Sequence, residues 1–429
     1  MNQRMPVVYF SVVWLFALCA CKASGQLKQA ASAEQRDDRF LENLMQTRPQ
    51  YFSNILSNRK ALKVQVIYTK IDRNQNNEPV FTPYYFNVDS VGYFYPASTV
   101  KFPVALLALQ ELHELSLPGV DKNNSLITEA AYSKQTAVYN DPKSLDGRPT
   151  IAQYIKKIFL VSDNDAFNRL YEFLGQQYIN DKLHKMGYTS AEILHRLQIS
   201  MSADENRHTN PITLYDTSGK LLYQQPMLFN QQTYNMRHDS VGNGYYNGST
   251  LVPHAMDFSG KNLVSIKDLT DVLRRVLFPM SVTSQQRFNF TDEDYRFVKQ
   301  YMSQWPTETI YPPYTDTTRF WPAYGKFLFY GAEKGPVQPG IRIFNKIGGA
   351  YGFLSDVAYI VDFDKKIEFM LSASIYCNAD GILNDDTYDY DTVGYPFLKQ
   401  IGKLIYDYEV TRPRAVKPDL TAFKMIYDK

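Results

Sequence analysis

The stretch YPASTVKFPVALLALQEL, residues 95 to 112, limits the fold most. Between Asp89 and Glu111 the only charged side chain is Lys101, while Phe102, Val104, Leu106, Leu107 and Leu109 make a helix apolar on almost every side. Such a helix has no face to offer water, so the rest of the chain must wrap around it. A buried ammonium is costly unless paired. Two readings of Lys101 are open. It snorkels from a helix end to water, or it is held dry as a base or charge partner for Ser98, one turn earlier.

The chain can supply the wrapping: 429 residues with 44% hydrophobic content allow one large or two medium domains. Net charge is near +2 and there is no dense Lys/Arg run, so nothing marks the chain for nucleic acid or acidic polymers. The start of the chain differs from the rest. Arg4 precedes VVYFSVVWLFALCA, an uncharged apolar run of fourteen that is short for a bilayer and fits an export signal. LCAC at 18 to 21 resembles the cleavage box of bacterial lipoproteins, with Cys19 where a small residue is usual, and this implies Cys21 as the lipidated first residue. An ordinary signal peptide cut nearby is the alternative; both readings export the protein. With Cys21 acylated and Cys19 removed, Cys377 is the only thiol left, so no intramolecular disulfide forms.

Residues 22 to 36 are small and polar, a tether, and FLENLMQTRPQYFSNIL suggests a helix interrupted near Pro49. LKVQVIYTKID alternates at period two, NQNNEP is turn chemistry, and YYFNVDSVGYFY reads as the partner strand of a hairpin. IAQYIKKIF is an amphipathic helix with Thr150 as N-cap, and AFNRLYEFL a second helix ending at Gly175. Residues 213 to 260 and 300 to 340, rich in Tyr, Asn, Gly and Pro, look like insertions. SIKDLTDVLRRVLF returns to helix. IRIFNKIGG, SDVAYIVDF and KIEFMLSASIYC form an antiparallel meander, with Cys377 as a buried strand residue, and PFLKQIGKLIYDYE is a closing helix.

The pattern predicts an α/β plus all-α architecture: an antiparallel sheet built from both chain ends, flanked by helices, with a helical domain inserted and a cleft where the parts meet. The expected divisions are a signal peptide at 1–20, a tether at 21–36, an α/β subdomain from 37–97 and 262–429, and a helical subdomain with an insertion at 98–261.

Ser98 and Lys101, three apart on a helix, share a face, and a lysine whose pKa is lowered by burial can take the serine proton. The helix N-terminus adds backbone N–H groups for an oxyanion. A second Ser-x-x-Lys, Ser57 to Lys60, sits in a polar basic setting and reads as surface. In LVSDNDAF, Ser162-Asp163-Asn164 lies between two helices, as a ligand-facing loop or as an N-cap box. In FNKIGGAYG, Lys346 lies near a strand end, and Gly348 and Gly349 allow close approach by backbone or ligand.

In this order the three segments resemble the Ser-x-x-Lys, Ser-Asp-Asn and Lys-Thr-Gly set of the class A β-lactamases and penicillin-binding enzymes. The likeness extends over most of residues 38 to 410 apart from the inserts. It implies Ser98 as acylated nucleophile, Lys101 as its proton acceptor, and Ser162 as proton donor to the leaving nitrogen. It further implies Asn164 holding the substrate amide and positioning Lys101, and Lys346 attracting the substrate carboxylate. The N–H groups of Ser98 and Gly349 would form the oxyanion hole, and Asp163 would be structural. No metal or organic cofactor is implied.

Two departures matter. Ile347 stands where the family has Thr or Ser, removing a hydroxyl for the substrate carboxylate. Arg196-Leu197-Gln198 matches the Arg-x-Glu segment whose Glu activates water for release of the acyl group, and Gln198 can orient water but not take its proton. Glu192 and Glu205 are the carboxylates a refolded loop would bring into the site; the plainer reading makes both surface carboxylates. Acylation is thus expected and rapid release is not. This suits a β-lactamase-like serine hydrolase, peptidase or esterase acting on an amide or ester, β-lactam-like or cell-wall-peptide-like. The expected protein is a monomer, exported to the periplasm or cell surface and held to a bacterial membrane by its lipid.

A non-catalytic binder of cell-wall peptides or glycans is the alternative, with YNMRHDSVGNGYYNGST and TIYPPYTDTTRFWPAYGKFLFYG as stacking platforms. DGILNDDTYDYDTVG lacks a calcium-loop spacing and reads as a solvated acidic turn, and the histidines show no zinc spacing.

Overall fold

A computed structural model gives the fold of residues 39–89, 92–234 and 236–429. The signal peptide, Cys19, Cys21 and the tether lie outside the described residues. Among those described, no helix is long and apolar enough to cross a membrane.

Nine helices and five strands of the described residues carry the architecture: α1 Arg39–Gln46, α2 Pro49–Ser57, β1 Gln65–Arg73, β2 Pro79–Phe86, α3 Lys101–Leu115, α4 Ile151–Val161, α5 Asn164–Leu174, α6 Gln176–Lys185, α7 Ile266–Leu277, α8 Asp292–Ser303, β3 Ile341–Ala350, β4 Phe353–Asp362, β5 Ile367–Tyr376 and α9 Tyr395–Thr411. The strands form one antiparallel sheet in the order β3-β4-β5-β1-β2, with the first and last parts of the chain joined where Tyr68 pairs Leu371. Every residue of β4 and β5 is buried. The reason is that both faces of the sheet are covered, so alternate residues enter two different cores. Phe344, Val357, Tyr359 and Met370 join one with α3 to α5 and α7, whereas Ile343, Ala358, Ile360 and Leu371 join the other with α1, α2 and α9.

The predicted helices form where expected. Pro49 occupies the first turn of α2, where its missing N–H costs nothing, and the Thr150 hydroxyl accepts from Gln153 N at 3.0 Å. The partner strand of the hairpin needs correction. It is Pro79–Phe86, not the stretch starting at Tyr84. Pro83, opposite Thr69, makes the segment unlike a strand, yet β2 is at the sheet edge, where a missing donor is tolerated. Helices α6 and α8 are absent from the sequence reading; α6 starts directly after Gly175, whose φ of +78° turns the chain.

Helix α3 runs through the larger core with Phe102 to Leu109 all buried. Residues 208 to 257 form short paired strands. The 300 to 340 region is largely irregular beyond α8, and Trp305, Ala323 and Phe327 to Tyr330 pack into the core behind the sheet. In the acidic turn Asp380, Asp385 and Asp389 accept from backbone N–H groups of Ile382, Thr387 and Ala379. Among the described residues no group of three His, Cys, Asp or Glu is placed to hold a metal. Cys377 is buried just beyond β5, and burial pushes its thiol up to about 12.

Candidate active site

Ser98 sits on a single 3-10 turn, Ala97–Val100, that feeds straight into α3. Ala97 before it has φ of +46°, a strained conformation for a residue with a Cβ, and such strain gathers at functional sites. The turn is tied by Thr99, whose N–H and hydroxyl both donate to Pro96 O. Strand β3 presses against it. A Cβ on Gly348 would lie 2.6 Å from Pro96 O and 3.1 Å from Thr99 Cγ2, so only glycine lets the strand come this close.

Lys101 follows one turn after Ser98 and is 0% exposed, which excludes the snorkelling reading. Its Nζ donates to Asn164 Oδ1 at 2.6 Å, to Ser162 Oγ at 3.3 Å and to Ser162 O. No carboxylate among the described residues pairs with it. Burial pulls its pKa down to about 7, with the charge of Asp163 opposing the shift. Ser162 ends α4 with φ of +57°, which turns its hydroxyl toward both lysines: Lys346 Nζ donates to Ser162 Oγ at 2.7 Å and to Ile347 O at 2.8 Å. Lys346 is also buried, and burial, then the neighbouring Lys101, holds its pKa well below the ordinary lysine value. Asp163 caps α5 by accepting from Ala166 N at 2.9 Å.

Gln198 joins this group. Asn164 Nδ2 donates to Gln198 Oε1 at 2.7 Å, so one carboxamide touches both the buried amine and the loop. The loop is held by one face of α5, on which Asn164, Asn168 and Glu172 recur every four residues. Asn168 exchanges two bonds with Leu197, 2.8 and 3.0 Å long, and Glu172 Oε1 accepts from Arg196 Nε at 2.7 Å with both side chains out of water. Gln198 takes φ of +61° to present its amide.

A cleft of about 410 Å³ opens over these groups, and Ser98, Ser162, Asn164, Gln198 and Gly349 all line it. The structure thus brings together Ser98, Lys101, Ser162, Asn164, Lys346, Gly348, Gly349 and Gln198. It leaves out Glu192 and Glu205, and their reading as surface carboxylates is corrected: both are buried, Glu192 against Arg237 at 3.1 Å and Glu205 in the cap of residues 203–207 with Lys134 at 3.2 Å. The second Ser-x-x-Lys, at Ser57, is exposed.

Sequence reasoning missed the groups behind β3 and others that line the cleft. Lys326 is buried and donates to Asn345 Oδ1 at 2.7 Å, and Asn345 Nδ2 donates to Asp356 Oδ1 at 2.8 Å. Burial drives the Lys326 amine down and the Asp356 carboxyl up, so this pair behind β3 favours the uncharged forms. Lys326 is another lone lysine in an aromatic run, the signal that singled out Lys101. Tyr314, Arg319, Phe320, Tyr324 and Phe327 also line the cleft, as does Lys143; nothing local in the sequence aims them there.

An antiparallel sheet with an inserted helical region, meeting at a serine and two buried lysines, is the fold of the β-lactamase-like serine hydrolases. The chain belongs to the β-lactamase enzyme family, whose model matches residues 48–408. Among solved structures it is similar to a β-lactamase from Desulfarculus baarsii DSM 2075, at 14% identity over 85% of this chain and 98% of that one, TM-score 0.45. A class A β-lactamase from Clostridium kluyveri DSM 555 matches at 16% identity over 84% of this chain and 99% of that one, TM-score 0.45. PBP-A matches at 14% identity over 85% and 95%, TM-score 0.45. No match is found among the curated proteins.

Proposed function

We propose that the protein is a serine hydrolase acylated at Ser98 by an amide or ester of β-lactam or cell-wall-peptide type. One observation carries the reading: the Lys101 amine is enclosed, donates to oxygen acceptors of Ser162 and Asn164 beside the Ser98 turn, and lies near a pKa of 7. At neutral pH a usable share of it is free base. Ser98 Oγ gives its proton to Lys101 Nζ and attacks the carbonyl carbon, with the N–H groups of Ser98 and Gly349 receiving the oxyanion. The C–N or C–O bond then breaks, the leaving atom takes a proton from Ser162 Oγ, and Ser162 is reprotonated from the adjoining lysines.

Release is the slow half. Asp163 is the only carboxylate that lines the cleft among the described residues, and it is occupied as a helix cap. Gln198 stands beside Asn164 and has no basic oxygen pair to take a proton from water. The acyl-enzyme should therefore persist or pass its acyl group to another acceptor. Export and lipid anchoring through Cys21 are part of the proposal and rest on residues 4 to 21 alone; Cys21→Ser should free the protein from membranes if they are right.

Intact-mass spectrometry with a penicillin, followed over time, tests the central claim. The expected result is a persistent adduct that Ser98→Ala abolishes while its melting curve stays close to wild type. Equal labelling of the variant removes Ser98 from the mechanism. An unlabelled wild-type protein that still binds the penicillin is a pure binder.

A further inference from the structure

The edge of β3 offers little to an anionic substrate group. Position 347 there is an isoleucine, which offers no hydroxyl, and the amine of Lys346 is buried and already donates to Ser162 Oγ and Ile347 O. An anionic group arriving at β3 finds no hydroxyl at position 347 and no exposed ammonium.

Two other residues that line the cleft offer exposed, charged donors. Lys143 and Arg319 line the cleft that holds Ser98 and Ser162, and neither makes an ion pair among the described residues. Their mounting is specific. The Lys143 ammonium lies 6.0 Å from the centre of the Tyr314 ring, the Arg319 guanidinium 5.1 Å from that of Phe320. The two rings meet edge to face at 4.9 Å. The two cations are therefore carried on one aromatic ladder. The Arg319 backbone is fixed by Asp316, whose Oδ1 accepts from the N–H groups of Thr318 and Arg319 and from the Thr318 hydroxyl. Tyr314 is itself buried, which anchors the ladder to the body. Aromatic walls exclude water and strengthen a cation's pull on an anion, and a planar guanidinium matches a carboxylate with two parallel bonds.

We propose that the substrate carries a carboxylate, bound by Arg319 with Lys143 on the wall formed by residues 309–331 and not at the edge of β3. This deepens the serine hydrolase reading and rests on it. The carboxylate is held by Arg319 and Lys143 and not by Lys346, so the chain selects amides or esters whose acidic group reaches these two cations.

A penicillin and its methyl ester differ in that one charge while keeping the reacting carbonyl. The rate of Ser98 acylation by each, followed by intact mass, gives a carboxylate-to-ester ratio. The ratio should be about 10 or more in the wild type, as charged hydrogen bonds require, and fall toward 1 in Arg319→Gln combined with Lys143→Gln. Both side chains are exposed, and melting curves confirm that the variant folds. An unchanged ratio in the double variant overturns the proposal. Equilibrium binding of the two compounds to Ser98→Ala reads the same preference without chemistry. If wild-type Ser98 takes no acyl group but Ser98→Ala still prefers the carboxylate through Arg319 and Lys143, the hydrolase reading fails and the recognition site stands.

Discussion

A lysine kept ready to accept a proton destabilises the folded chain that holds it. The Lys101 amine drops from 10.5 to about 7 on burial, so between these values the unfolded chain binds a proton that the folded chain has released. Stability should rise with pH across that window, by about 1.4 kcal/mol per unit from this group, and the full penalty is present below it. Lys101→Met is therefore expected to stabilise the protein against denaturant while abolishing acylation, with a larger gain at about pH 6 than at about pH 9. A gain that grows toward high pH would contradict a depressed pKa. The same proton sets the rate: acylation should climb tenfold per unit up to about pH 7 and then level off, as a mass-shift time course at several pH values would show. On the proposed mechanism Gln198 bears on the second half of the cycle. Asn164 Nδ2 can donate to a carboxylate as well as to an amide, so Gln198→Glu should keep the geometry and supply a base, speeding release of the acyl group by about 100-fold. An unaltered release rate would mean that the hydrolytic water is not at Gln198.

Helix α5 shows how one element builds half a site. Its Asn164, Asn168 and Glu172 hold Gln198, Leu197 and Arg196 in turn, so the loop lies antiparallel on a single helical face. Glu172 also faces Arg169 at 3.1 Å, and all three charges are nearly dry. Replacing it by Gln leaves the buried Arg196 without its counter-charge and Arg169 with Asp165 alone, at 3.5 Å, which should cost about 3–5 kcal/mol. Hydrogen exchange of residues 194–200 should quicken before the sheet responds; equal exchange across the chain would show that Glu172 does not latch the loop. None of this latch was legible from sequence, since Asn168 and Glu172 are ordinary polar residues of an amphipathic helix until the loop is laid on them. Lys101 was legible as a lone amine in an apolar helix, whereas Ser98, Ser162, Asn164 and Lys346 were legible because their three segments, taken in order, resemble the family's motif set. Gln198 was reached because Arg196-Leu197-Gln198 resembles the family's Arg-x-Glu segment. Strand β2 was misplaced because proline reads as a strand breaker and edge position is a property of the sheet, not of the segment.

At the scale of the whole molecule, the cleft is the line where three distant parts of the chain meet: the Ser98 turn with α4 and α5, the end of β3, and the 309–331 segment. The first two are held by packed cores; the third has little regular structure, and its Tyr314, Ala323 and Phe327 to Tyr330 pack into the same cores. The start of the segment is restrained by the last residues. The Asp428 carboxylate accepts from Gln300 Nε2 and Thr309 Oγ1, both at 3.1 Å, and from Ile310 N at 3.3 Å, pinning the start of the segment to α8. The Tyr427 ring lies 4.1 Å from the Arg342 guanidinium, which grips Glu308 through two bonds of 2.8 and 2.7 Å. Phe423, by contrast, belongs to the main core, against Tyr359 at 4.7 Å. Removing residues 424–429 should therefore spare the sheet and release the wall. The expected signs are a melting temperature lowered by a few degrees, faster hydrogen exchange confined to residues 304–330, and a reduced carboxylate-to-ester ratio with Ser98 still acylated. Because Lys143 and Arg319 can select an anion only while Tyr314 and Phe320 hold them in the cleft, exchange and selectivity must change together in the truncated chain. Faster exchange with selectivity intact would show that the ladder is held by the Asp316 turn alone.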